Sequence, residues 1–226
     1  NTTGNYNIAI GYDALVNATT ANHNTIIGYK AGEDITTGSV NTVIGSNAFK
    51  QASTASSNTG LGYGVMGLMT SGTQNVAVGR DALVASTTAD NCVAVGYEAL
   101  YSNTTGANNV AMGHRALKDN TTGAANVAIG YNALQNNTTA SNNVAMGQSA
   151  LDALTTGHSN VALGRDAGHK ITNGIHNVCV GYLSGTTVLQ TGDFNVLLGS
   201  YCRPTAGSTE FANGIGYNIS AQAGYT

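Results

Sequence analysis

Apolar residues in this chain come in short runs that end on a glycine, and the runs return at a fixed interval. Asn126-Val127-Ala128-Ile129-Gly130 is typical, and the same grammar closes on Gly11, Gly28, Gly45, Gly62, Gly79, Gly96, Gly113, Gly130, Gly147, Gly164, Gly181, Gly199 and Gly216. Eleven of the twelve intervals are 17 residues and one, from 181 to 199, is 18. A constant period of this size predicts stacked repeats, each one turn of a solenoid supported by its neighbours. The runs are rich in β-branched residues and too short for helices, so each predicts one short strand. The expected fold is all-β, a parallel β-solenoid of about twelve 17-residue coils over residues 1–201. Residues 202–226, where the register degrades around Pro204, are expected to be a degenerate terminal coil, a cap or a transition to a further domain.

The slots of the repeat can be compared by counting from each glycine. Three residues before it stand Ile8, Thr25, Thr42 and Thr59, then Val at every coil from Val76 to Val196. One residue before it stands Ile, Leu, Val or Met throughout. Strand alternation puts these two slots on one face, and their bulk assigns that face to the inside of the coil. The residue between them points the other way and is never polar: Ala9, Ala77, Ala94, Ala111, Ala128, Ala145 and Ala162 are representative. A strand apolar on both faces is buried on both. Small side chains on the second face suit close approach of another backbone. The expectation is therefore a subunit interface along these alanines, with Val127 and Ile129 inside their own coil and Ala128 against another chain.

After the glycine comes a polar residue or tyrosine, then Ala-Leu as at Ala133-Leu134, a second inward anchor. A polar stretch follows and ends in Thr-Thr-Gly or Thr-Thr-Ala, where glycine serves a turn. The Asn opening most coils, from Asn7 to Asn195 with Cys92 as the single replacement, predicts a ladder of amides bonded coil to coil. Tyr12, Tyr29, Tyr63, Tyr97, Tyr131 and Tyr182 recur just after the glycine. They form either an exposed row able to grip sugars or a cover for the flank of the coil. The paired threonines raise an ice-binding reading, weakened because neighbours on an extended chain point opposite ways and leave one column outward.

Composition narrows the chemistry. Charged residues are 8% of the chain, against about 25% in typical soluble domains. The net charge is −3 with the eight Lys and Arg scattered, which gives no basic footprint for nucleic acid. No apolar run reaches the ~20 residues of a membrane helix, so no membrane insertion is expected. Cys92, Cys179 and Cys202 fall in different slots and read as small, buried free thiols rather than a disulfide pair. Gly4 lies seven before Gly11 as Gly106 lies seven before Gly113, so the chain is expected to start in mid-coil as a piece of a longer protein.

Catalytic and ligand signals are thin. Gly62-Tyr63-Gly64-Val65-Met66-Gly67 matches the dinucleotide fingerprint in letters, without a following helix or an acidic residue about 20 positions on. His23, His114, His158, His169 and His176 lack short ligand spacing; only a symmetry axis would gather copies of one. Asn-x-Thr sequons at Asn103, Asn120 and Asn137 follow from composition. No catalytic, cofactor or metal site is assigned, and an enzyme is not expected.

The repeat itself has a likeness. Asn-Val-Ala-Ile-Gly-x-x-Ala-Leu, as at 126–134 and nearly so at 109–117 and 143–151, resembles the head repeats of trimeric autotransporter adhesins of the YadA type. It is more similar still to the longer, Thr-Thr-Gly-containing version of phage tail-fibre and other virion fibre proteins. The likeness covers nearly the whole chain and implies a left-handed parallel β-roll assembled as a homotrimer. The expected function is then a non-enzymatic segment of a virion tail fibre that supports or performs attachment to a host-surface glycan or protein. The alternatives are the head of a bacterial surface adhesin and, third, a monomeric ice- or surface-binding solenoid.

Overall fold

The structure, a computed structural model, describes residues 3–186, 191–204 and 211–221. Its chain separates into two compact units, Asn1–His114 and Arg115–Thr226. Both are parallel β-solenoids whose coils lie 17 residues apart. The first holds β1 (Ile8–Ile10), β2 (Thr25–Ile27), β3 (Thr42–Ile44), β4 (Thr59–Leu61), β5 (Val76–Val78), β6 (Val93–Val95) and β7 (Val110–Met112). Each pairs parallel with the next, slot on slot, as Ala77 does with Ala94 and Ala94 with Ala111. The second unit repeats the plan with β8 (Val127–Ile129), β9 (Val144–Met146), β10 (Val161–Leu163), β11 (Val178–Val180) and β12 (Val196–Leu198). No helix occurs among the described residues.

The solenoid register runs past residue 201. After β13 (Arg203–Pro204), β14 (Asn213–Ile215) pairs with β12 through Val196↔Asn213, and β15 (Ser220–Ala221) pairs with β13. The single extra residue of the 18-residue interval was expected near Thr186-Thr187-Val188; Thr187 and Val188 lie outside the described residues. The strands on either side stay in slot, Cys179 against Leu197.

The period has one dominant physical origin. Every coil glycine from Gly11 to Gly216 has φ between +122° and +152°, a region L side chains avoid. A Cβ at Gly130 would also stand 2.6 Å from the carbonyl oxygen of Gly147, and one at Gly79 2.5 Å from that of Gly96. Conformation and space therefore both demand glycine at this corner of each coil. The rest of the turn uses left-handed backbone at non-glycine positions, as at Asn132 (φ 55°), Leu134 (φ 51°) and Asn142 (φ 61°). Such residues cost roughly 1–2 kcal/mol each. They aim their amides along the stack, where Leu134 N–H donates to the Ala150 carbonyl at 3.0 Å and Asn142 N–H to that of Ala124 at 3.1 Å.

The interior of a coil is the reverse of what side-chain bulk suggested. Ala77, Ala94, Ala111, Ala128, Ala145 and Ala162 are fully buried within their own chain. They meet the buried Ala-Leu pair, such as Ala133 and Leu134, across a narrow lumen. Only Ala9, in the first coil, is exposed. These alanines therefore cannot form a subunit interface, and Val127 and Ile129 are not core residues; both lie on the outer face. Volume compensation confirms the facing. Buried Ile26 has Gly32 opposite, where a Cβ would come within 3.2 Å of it. Gly60 leaves room for Met66, whose methyl would lie 2.7 Å from a Cβ there. The irregular Gly60…Val65-Met66 coil is thus the same cross-section filled from the other side.

The asparagine ladder forms as expected and fixes the parity. In the first unit Asn24, Asn41, Asn58 and Asn75 are buried. Asn41 Nδ2 donates across its own coil to the Ala55 carbonyl at 2.9 Å, and Asn41 Oδ1 accepts the Asn58 N–H at 3.0 Å. The second unit continues the scheme from Asn126 to Asn195, whose Oδ1 accepts the Ala212 N–H at 2.8 Å. Cys92 occupies the slot once, its Sγ donating to the Gly106 carbonyl at 3.3 Å. Two further ladders were not anticipated. The first threonine of each pair turns its hydroxyl to the next coil, as from Thr138 Oγ1 to the Thr155 carbonyl at 3.2 Å. Ser39 Oγ, Ser56 Oγ and Asp90 Oδ1 accept the amide of the coil before, at 2.6–3.0 Å. The second threonine, as at Thr105 or Thr139, is exposed.

Two substitutions test this account. Gly130→Ala is expected to lower unfolding free energy by about 3 kcal/mol or more, the sum of a left-handed φ and a backbone clash. Asn143→Ala strands the Asn160 N–H and the Gly157 carbonyl and should cost about 2–4 kcal/mol. Asn142→Ala, at the exposed neighbouring position, should cost about 1 kcal/mol through its φ alone. Urea titrations giving equal losses for Asn142 and Asn143 would remove the ladder from the list of stabilising elements.

Candidate functional site

With alanine and asparagine turned inward, alternation sends the residues beside them outward. Each unit consequently carries a sheet face whose outward side chains are mostly Val, Ile, Leu and Met, with Thr25, Thr42 and Thr59 in the first unit and Asn213 in the second. In the first unit Ile8, Ile10, Ile44, Leu61, Val76 and Met112 are 39–58% exposed. In the second, Met146, Val196 and Ile215 lie between 36% and 77%. Large contiguous apolar patches of this kind mark association surfaces. The sequence held the signal for the correct facing: Asn126 and Ala128 are two apart, so a buried amide ladder requires a buried alanine.

The tyrosine row borders this face. Tyr12, Tyr29, Tyr63 and Tyr131 are 49–68% exposed, while Tyr97 and Tyr182 are half-buried. Because the slot repeats at the strand spacing, its rings touch one another. Tyr12 and Tyr29 stack with centroids 5.6 Å apart, and Tyr97 stacks on His114 at 5.2 Å. The Arg80 guanidinium lies 5.7 Å from the Tyr63 centroid and 5.9 Å from that of Tyr97. In the second unit Arg165 lies 4.6 Å over Tyr182 and donates to its hydroxyl at 2.7 Å. The ring faces are spent on these contacts, which leaves edges and hydroxyls as the outward part.

A second ring column, five residues before the glycine, was not anticipated. Tyr6 stacks on His23 at 4.9 Å in the first unit. In the second, Phe194 stacks on His176 at 5.0 Å and on Phe211 at 5.4 Å, with His158 edge-on to His176. These histidines are ring partners, and no cluster of three metal-ligating side chains occurs among the described residues. The fingerprint-like run Gly62–Gly67 is a turn with Met66 buried inside the coil.

The three cysteines are free and buried. Burial pushes the Cys92 thiol up to about 11 and that of Cys179 up to about 12. The Asp90 carboxylate near Cys92 raises that thiol further rather than activating it. No family model, curated protein or solved structure matches the chain. Its functional reading rests on this geometry and on the likeness of the repeat.

The thiols give a pH prediction. Both folded-state values lie above the ordinary thiol range, so their contribution to stability is fully present below about pH 8.5 and is lost as pH rises through it toward 11. At pH 8 a maleimide should leave Cys92 and Cys179 unlabelled in the native protein and label both in urea. Rapid native labelling of either would refute the buried assignment.

Proposed function

We propose that this chain is a rigid, non-enzymatic segment of a homotrimeric fibre, a left-handed β-roll belonging to a phage or virus tail fibre. It supports or performs attachment to a host surface. The observation that carries this reading is the outward Val/Ile/Met face. A solenoid that worked as a monomer would gain nothing from a sheet surface of exposed Val76, Leu61 and Met112, whereas copies of the chain packed face to face would bury it. The virion setting follows from the likeness of the Thr-Thr-Gly repeat to fibre proteins, and the half-exposed tyrosine row is the surface offered to a host glycan or protein.

The alternative is the head of a bacterial trimeric adhesin, which shares the assembly and differs in its setting. A monomeric ice- or surface-binding solenoid has in its favour the exposed second-threonine column. The apolar face argues against it, because that face would have to stay in water.

Mass measurement in solution separates these readings. The wild-type chain is expected at three copies. Val127→Lys with Ile129→Lys, both on the outer face, should reduce the mass to one copy. Ala128→Asp places a charge inside the coil and should cost about 3–5 kcal/mol or more in folding whatever the assembly. A single-copy wild type would overturn the fibre proposal, and a double-lysine variant still at three copies would overturn the assignment of the face.

A further inference from the structure

A periodic face has a difficulty that an ordinary interface lacks. Each coil presents the same slots, so copies shifted by one coil, about 4.8 Å, would meet almost the same side chains. Only the outermost coil would lose its partner. The apolar columns alone therefore leave the axial register of the copies nearly degenerate.

The first unit breaks its own periodicity at one place on this face. Three residues before the glycine, Thr25, Thr42 and Thr59 replace the valine that stands there in the coils from Val76 to Val196, with Ile8 ahead of them. These side chains lie on the outer face of β2, β3 and β4. Threonine is elsewhere used here for its hydroxyl, as from Thr36 Oγ1 to the Ser53 carbonyl at 3.0 Å. Among the described residues no hydrogen bond engages the hydroxyls of Thr25, Thr42 and Thr59. On a face that packs against copies of itself, three adjacent hydroxyls lack partners within their own chain.

We propose that this threonine band sets the axial register of the assembled copies, an inference that rests on the homotrimer reading above. In register, each of these threonines stands level with its own counterparts, and the hydroxyls satisfy one another or share water. A shift of one coil sets Thr59 level with Val76 and Thr25 level with Ile8. That buries a hydroxyl against hydrocarbon at both edges of the band, and a larger shift adds further mismatches. A few polar groups in an otherwise apolar seam act this way in coiled coils, fixing register at some cost in stability.

The chain's four methionines supply the test. Met66 and Met69 are fully buried inside their coils, while Met112 is on the outer face of the first unit. Methyl NMR spectra of the methionine-labelled full chain would be compared for the wild type and for Thr25→Val/Thr42→Val/Thr59→Val, alongside the mass of each in solution. The wild type should show one Met112 resonance. The triple variant should remain at three copies and show the Met112 resonance split into two or more, because Met112 then meets Met112 in some assemblies and Val95 in others. Met66 and Met69 should stay single in both. A triple variant at three copies with one Met112 resonance would overturn the register proposal alone. A wild type at one copy would overturn the reading beneath it.

Discussion

The controlling constraint in this molecule is self-stacking: each slot must tolerate a copy of itself one strand spacing away, about 4.8 Å. The coil glycine is where the constraint is tightest, since the Gly147 carbonyl comes where a side chain of Gly130 would be. It also explains the composition. Two like charges stacked at this distance repel by about 1 kcal/mol even in water, so a charged column would accumulate that repulsion at each step. Charged side chains are consequently few, and several find opposite partners, as Lys30 does with Glu33 at 3.0 Å. Asparagine and threonine suit the constraint because donor and acceptor sit on one side chain, so each copy can give to one neighbour and take from the other.

Two departures from the repeat conserve the volume of the lumen. Where the strand contributes Ile26 the facing turn contributes Gly32, and where the strand contributes Gly60 the turn contributes Met66. Cys92 takes the asparagine slot while keeping a donor for the same class of carbonyl, that of Gly106. Irregular stretches of sequence are thus regular in cross-section, which is what keeps a coil in step with the ones it stacks upon.

Inner and outer faces of the strand answer to different demands. The inner face must close a lumen narrow enough for alanine and must satisfy a buried amide ladder. The outer face carries the larger apolar side chains and so is free to serve association. The proposed fibre assigns structure to the first and assembly to the second. In that proposal recognition is left to the columns at the margins, where Tyr63, Arg80 and Tyr97 replace strict repetition with a mixed ring surface.

Much of this was legible in the sequence. The glycine interval gives the coil length, the β-branched runs give one short strand per coil, and the Asn column gives a bonded ladder. The odd cysteines read correctly as buried free thiols. Side-chain bulk points the wrong way for the strand's facing: Val127 and Ile129 are larger than Ala128, yet Ala128 is the buried one. The parity of Asn126 and Ala128 contained the right answer, but it decides the question only if the asparagine is known to be inside. Burial depends on the width of the lumen, and that width is set by how Ala133, Leu134 and the left-handed turns close the coil. Local sequence determines the period and the strands, since both follow from short-range sterics. Only the closed coil decides which face is core, because the way the turns and the Ala-Leu pair close it fixes which strand face lines the lumen.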